Sequence, residues 1–165
     1  NNFVYKVGTG FDVHKLVKGK NITLFGLKIP NNKSLLGNSD ADVGIHAIID
    51  AILGALSLGD IGKHFPDSNK KFKNISSLIL LKKIYKLIKE RKAEITHIDC
   101  TLIGEKPKIS KYTKKMISII SDILKIDIND ISIKATTTEN LGFTGRKEGL
   151  ACMCNVTIKV LKNNE

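Results

Sequence analysis

Apolar side chains dominate two short runs near the start of the chain, FVYKVGTGFDVH at 3–14 and ITLF at 22–25. Gly19 separates them, and Gly26 and Pro30 close the second, which predicts two strands. The polar stretch NNKSLLGNSDAD at 31–42 reads as a loop into a helix over about 43–58. There Ile45, Ile48, Ile49, Ile52, Ala55 and Leu56 share one side, and His46, Asp50, Leu53 and Ser57 another. After the loop GDIGKHFPDSNKKF a second helix, about 76–91, sets Leu78, Leu81, Ile84, Tyr85 and Ile88 opposite Lys82, Lys83, Lys86 and Lys89. A strand over 95–104 ends before Pro107, and a third helix over about 110–124 repeats Tyr112, Met116, Ile119, Ile120 and Ile123 at helical spacing. ISIKATTT is a strand, ENLGFTGRKEG a loop or short helical turn, and LACMCNVTIKVL a last strand with Leu150, Cys152, Cys154, Val156, Ile158 and Val160 on one face.

Alternating strands and helices predict an α/β (α+β) fold of one domain, 1–165, a small mixed sheet with helices on one face. The bare face then needs a partner. The net charge of +11 rests almost wholly on lysine, with only Arg91 and Arg146 as arginines, so it does not resemble an arginine-rich nucleic-acid surface. It suits an anionic small substrate. Cys100, Cys152 and Cys154 form no CxxC, and a C-x-C pair along one strand is badly placed to bridge itself, so the thiols read as small core residues in a reducing compartment. No run of about 18 apolar residues predicts a membrane span. The Lys-, Ile- and Asn-rich composition and a first residue other than Met suggest a plastid-type organelle, with bacterial cytoplasm as the alternative.

Asp12 and His14 stand two apart on the first strand and so project to one face. Either the carboxylate orients the imidazole at a strand end, or both are metal ligands with His46, at the start of the first helix, as a third. Two imidazoles and one carboxylate leave a fourth tetrahedral position open, as in catalytic zinc sites. In KATTTENLGFTGR, 134–146, the threonine hydroxyls, the amides near Gly142 and Gly145, Glu139 and Arg146 are of the types that hold phosphates with a hard divalent cation. The same run also fits a strand ending in a turn. Asp60 and Asp67 suit either substrate hydroxyls or helix caps, and by themselves favour caps. His64 and His97 carry no assigned role.

Taken in order, FDVH (11–14), SDAD (39–42) before His46, DAILGA (50–55), GDIGKHFPD (59–67), Pro107-Lys108 and KATTTENLGFTGR resemble the 2-C-methyl-D-erythritol 2,4-cyclodiphosphate synthase family over nearly the whole chain. The resemblance implies a homotrimer with sheets around the three-fold axis and active sites between subunits. It implies attack of the 2-phosphate of 4-diphosphocytidyl-2-C-methyl-D-erythritol 2-phosphate on the β-phosphorus, releasing CMP. It also implies Zn2+ on Asp12, His14 and His46, Mg2+ or Mn2+ on Glu139, and transition-state stabilisation by Thr137. Asp60, Gly62 and Asp67 fall on the methylerythritol side. Gly104 to Ser110, including Pro107 and Lys108, with Ala135, Thr136 and Thr137, form the cytidine pocket. Val13, Asn38, Ser39, Ile61, Phe65, Asn69 and Thr138 complete the implied substrate contacts. Phe11, Phe143 and Arg146 fall at an axial cavity suited to an isoprenoid diphosphate.

Two positions depart from the family pattern: Asn38 replaces the usual His before Ser-Asp, and Asn69 replaces a frequent Asp. Asn38 donates a hydrogen bond but carries no positive charge. The rival readings are a zinc-dependent phosphoesterase, in which water replaces the internal nucleophile, and a basic RNA-binding module, which this chain's lack of Trp and few aromatics disfavour.

Overall fold

A computed structural model describes residues 2–162. Strand β1 (Phe3–Lys18) is the longest strand of the main sheet. It pairs antiparallel with β4 (Lys33–Leu36) on one side and with β7 (Gly149–Leu161) on the other. Beyond β7 come β5 (Ala93–Ile103), antiparallel to it, and β6 (Ile131–Thr136), parallel to β5, so the sheet is mixed with order β4-β1-β7-β5-β6. β2 (Asn21–Leu24) and β3 (Leu27–Pro30) form a separate hairpin. β4 lies within the stretch 31–42 that its polar composition predicts as loop, and β3 follows Gly26 and ends at Pro30, a stretch the sequence reads only as the close of the second strand. Each is only four residues long, too short to show a period.

Helix α1 (Val43–Ala55) lies directly on β1 because two glycines face it. A Cβ at Gly8 would fall 1.8 Å from the Ala51 carbonyl oxygen, and one at Gly10 would fall 1.9 Å from that of Ala47. The even-numbered side of β1 is thus pressed against a helix backbone, and Asp12 and His14 continue that side. Burial of Ile45, Ile48, Ile49 and Ile52, all fully enclosed, contributes about 1.5–3 kcal/mol each and holds the helix there. On the second side of α1, Leu53 is fully buried like the first side's isoleucines, and the helix ends at Ala55 rather than 58. The helix is covered on several sides, so its apolar stripe is wider than one face.

α3 (Ser77–Glu90) buries Leu80, Leu81, Ile84 and Ile88. α4 (Thr113–Leu124) buries Met116, Ile120 and Leu124, and starts three residues later than predicted. Both pack beside the sheet on the side of α1. Two single-turn helices, α2 (Ile61–His64) and α5 (Gly142–Gly145), lie in segments predicted as loops or short turns. On the opposite face of β1 and β7, Tyr5, Val7, Phe11 and Met153 are exposed, as the one-sided helix cover predicts. No helix among the described residues is long and apolar enough to cross a membrane. The three cysteines are free and buried. Cys100 and Cys154 face each other across β5 and β7 with sulfurs 3.3 Å apart. Their contact and burial push the Cys100 thiol up, and burial does the same to Cys152.

Candidate metal centre and active site

Asp42 sets the position of the first site. Its side chain caps α1, accepting from the N–H groups of Gly44 and Ile45, and also accepts from Phe25 and Gly26 at the hairpin turn. One buried carboxylate therefore ties the β2–β3 turn to the helix start. The first turn of α1 then places His46 over the helix-facing side of β1, opposite Asp12 and His14. Asp12 Oδ2 lies 2.9 Å from His14 Nε2 and 3.3 Å from His46 Nδ1, and the two nitrogens are 3.3 Å apart.

The hydrogen bonds behind the rings indicate where the protons sit. His14 Nδ1 is 3.0 Å from the carbonyl oxygen of Leu36. A carbonyl only accepts, so Nδ1–H donates and the Nε2 lone pair points at Asp12. His46 Nε2 is 2.9 Å from Ser77 Oγ and 3.0 Å from Ser39 Oγ. Ser77 spends its one hydroxyl proton on Asp40, so it accepts from His46 Nε2–H, and the Nδ1 lone pair also faces inward. Among the described residues no donor is directed at the buried Asp12 Oδ2. Three acceptor atoms thus converge with no proton between them, which is the arrangement a cation stabilises.

The dimensions fit zinc. Four ligands at about 2.0–2.1 Å around a tetrahedral ion stand about 3.3 Å from one another. The three observed separations cluster near that edge, and Asp12, His14 and His46 are the one such group among the described residues. Burial by itself would raise the Asp12 carboxyl, but once a proton takes the place of a metal and sits on the facing imidazoles, the hydrogen bonds and charge that His14 and His46 then offer bring it down to about 2. Burial opposes the charged form of His14, yet the Asp12 contact and the Leu36 carbonyl raise it above the usual imidazole value. In the absence of a metal a proton is drawn into the same place.

The cluster opens on a cavity of about 410 Å³ lined by Asn38, Ser39, Ile61, Gly62, Phe65 and Asp67, together with Gly37, Pro66, Phe72, Ile75 and Leu80. A second cavity, about 370 Å³, gathers Gly104, Pro107, Lys108, Ala135, Thr136 and Thr137 with Ile109, Thr113 and Leu150. A third, about 500 Å³, is bounded by Val13, Phe143 and Arg146, whose guanidinium is paired with Glu148 at 2.6 Å.

Of the predicted positions, Phe11, Asp60, Asn69, Glu105, Lys106, Thr138 and Glu139 lie apart from these cavities' walls: Phe11 is exposed on the bare sheet face, and Glu105 and Lys106 line a separate cavity rather than the nucleotide one. Asp60 caps α2 by accepting from Lys63 N–H, and Asn69 caps a 3-10 turn at Lys70–Phe72. Thr138 is bonded to Leu141 and Thr144, and Glu139 is exposed on a loop with φ of 54°. The capping reading of Asp60 is the one its geometry supports. Sequence reasoning missed Leu36 and Ser77, which orient the two imidazoles. A serine in the first turn of a helix gives no sign that it reaches a histidine 31 positions earlier in the chain.

Fold and cluster together define a metal-binding α/β protein whose two-imidazole, one-carboxylate centre lies in the wall of a pocket. The chain belongs to the YgbB family, which matches residues 5–159. It is 52% identical over 155 residues to the 2-C-methyl-D-erythritol 2,4-cyclodiphosphate synthase of Caldicellulosiruptor bescii, covering 94% of this chain and 99% of that one. Among solved structures it is similar to the bifunctional IspDF of Campylobacter jejuni, with TM-score 0.92 and 42% identity over 98% of this chain. The chain spans 44% of that bifunctional protein's length. It is also similar to the CDP complex of IspF from Plasmodium falciparum, with TM-score 0.83 and 38% identity, covering 96% of this chain and 97% of that one. The family resemblance read from the motifs is borne out.

Proposed function

We propose that this protein is a cyclodiphosphate synthase of the non-mevalonate isoprenoid pathway, a CMP-releasing lyase acting on 4-diphosphocytidyl-2-C-methyl-D-erythritol 2-phosphate. The observation that carries the reading is the three-ligand cluster at the wall of a pocket, in a chain 52% identical to a synthase of that name. In the reaction an oxygen of the substrate's 2-phosphate bonds to the β-phosphorus, and the bond from that phosphorus to the CMP oxygen breaks. The nucleophile belongs to the substrate, so the protein's contribution is positioning and charge stabilisation.

In this reading Asp12, His14 and His46 hold Zn2+, and Glu139 holds Mg2+ or Mn2+. When bound, these ions supply Lewis acidity toward phosphate oxygens. The amide of Asn38 and the hydroxyl of Ser39, beside the cluster, donate to the diphosphate, while Ile61, Gly62, Phe65 and Asp67 enclose the methylerythritol. Gly104, Pro107, Lys108, Ala135 and Thr136 receive the cytidine, and the Thr137 hydroxyl supports the transition state. Asp60, Asn69 and Thr138 act by holding loop shape, in keeping with their caps and turn bonds.

The metal cavity and the nucleotide cavity of one chain have separate walls, which suits a site completed by a neighbouring subunit. Residues 1–165 form one synthase domain, and three copies pack through the exposed face of β1 and β7. Val13, Phe11, Phe143 and Arg146 then surround an axial cavity, where an isoprenoid diphosphate competes with Glu148 for Arg146. Of the two compartments considered, bacterial cytoplasm accords with the Caldicellulosiruptor bescii relative, and the plastid-type organelle draws no support from it.

The test is incubation of the zinc-loaded protein with the cytidyl substrate and Mg2+, followed by phosphorus NMR. A cyclic diphosphate and CMP are expected. Open-chain phosphates would identify a phosphoesterase instead.

A further inference from the structure

We propose that Glu105 is a positioning residue that sets the shape of the loop carrying Thr137 and Glu139. The inference rests on the roles given to those two residues above. Glu105 follows the end of β5, and its carboxylate reaches across to the loop after β6. Oε2 accepts from the Thr138 N–H at 3.4 Å and Oε1 from the Asn140 N–H at 3.2 Å. The two bonds straddle Glu139.

The loop needs such support. Glu139 and Asn140 are consecutive left-handed residues with φ of 54° and 63°, and neither is glycine. Asparagine tolerates that conformation but glutamate does not, so at Glu139 the surrounding structure has to hold it. Within the loop, Glu139 N–H donates to Thr137 Oγ1 at 3.3 Å, linking the candidate metal ligand to the candidate transition-state hydroxyl. On the other side α5 closes against it, since a Cβ at Gly145 would lie 2.2 Å from the Asn140 carbonyl carbon. Thr138 Oγ1 is 2.8 Å from the buried Thr144 hydroxyl. Glu105 braces the loop from the sheet side.

The direction of Glu105 separates this role from nucleotide binding. Gly104, Pro107 and Lys108 line the nucleotide cavity. Glu105 borders a different cavity, about 240 Å³, beside Lys33, Lys106 and Lys147. The segment therefore splits its work: one side meets the base, and the single carboxylate turns to the catalytic loop. A carboxylate presents two acceptor oxygens, one for each N–H group, whereas an amide side chain keeps one acceptor oxygen and turns an NH2 donor toward the other N–H.

Glu105→Ala and Glu105→Gln test the proposal in the full-length, zinc-loaded protein. The readouts are hydrogen exchange of the Thr138 and Asn140 amides, Mn2+ binding followed by EPR with CDP present, and zinc stoichiometry. In Glu105→Ala we expect exchange at both amides to rise and Mn2+ to bind about tenfold more weakly, with zinc content unchanged. Glu105→Gln should restore part of both. Unchanged exchange and unchanged Mn2+ affinity in Glu105→Ala overturn the proposal. So does a parallel loss of zinc and melting temperature that Glu105→Gln fails to relieve, which marks a general structural defect. If the wild-type protein itself binds no Mn2+, the metal role of Glu139 falls, and amide exchange alone decides for or against Glu105.

Discussion

Ser77 Oγ accepts the Nε2–H of His46 at 2.9 Å because Asp40 takes the serine's own proton. Asp40 also accepts from Ser77 N–H at 2.8 Å, so the serine is fixed from two sides. The chain carboxylate, hydroxyl, imidazole leaves Nδ1 as the only lone pair free for a metal. Ser77→Ala removes the hydroxyl and leaves the buried imidazole with Ser39 as its remaining partner. Zinc affinity is expected to fall about 10–100-fold, measured by competition with a chromophoric chelator. An unchanged affinity would show that Ser39 alone orients the ring.

Asn38 lines the cavity beside the cluster, with its backbone carbonyl receiving the Asn74 N–H at 2.8 Å. In the proposed site a protonated histidine at this place, the residue the family resemblance implies, would add a positive charge near the substrate phosphates, which the amide cannot. Asn38→His is expected to raise turnover about 10–100-fold, which is about 1.4–2.7 kcal/mol of barrier. Turnover with the cytidyl substrate measures it. Equal rates would mean that hydrogen bonding, and not charge, is what this position supplies.

The D-x-H pair was legible because strand geometry alone sends positions 12 and 14 to one side, and β1 keeps that alternation through the site. His46 was legible from motif order, since nothing in its local pattern fixes its distance from β1. What brings it close is the bare surface at Gly8 and Gly10, which allows α1 to rest on the strand. In the sequence those glycines look like weak points in a strand. Leu36 and Ser77 were not legible for a different reason: one acts through a backbone carbonyl and the other across a long sequence separation. β3 and β4 escaped because four residues show too little alternation to outweigh the polar residues between them.

Asp42 makes the protein's stability pH-dependent. Burial raises its carboxyl to about 6, against the lowering effect of the Ile45, Gly26 and Phe25 amides, while the charge of Asp40 raises it further. In the unfolded chain an aspartate titrates near pH ~3.9. Between about pH 4 and 6 the folded form therefore binds a proton that the unfolded form lacks. Its contribution is complete below about pH 4 and is lost as pH rises through 6. Asp42→Asn removes that titration. With both proteins in excess chelator, so that zinc release adds nothing, wild-type stability measured relative to the variant should decline from pH 4 to 6. A relative gain over that range would mean that the four N–H donors outweigh burial.

Val7 points away from α1 and is 68% exposed, on the face it shares with Tyr5, Phe11 and Met153. In the proposed trimer this face is the contact between subunits. Val7→Asp places an unpaired carboxylate there, and burying one without a partner costs several kcal/mol. Sedimentation equilibrium should then give the 18.2 kDa chain in place of a species three times as heavy. Zinc binding should persist at about one ion per chain, because Asp12, His14 and His46 lie on the helix-facing side and come from one subunit. Cyclase activity should disappear with the trimer, since the proposed nucleotide cavity belongs to the neighbour. A monomer that retains full activity would refute the shared site, and a trimer that survives the substitution would move the interface elsewhere.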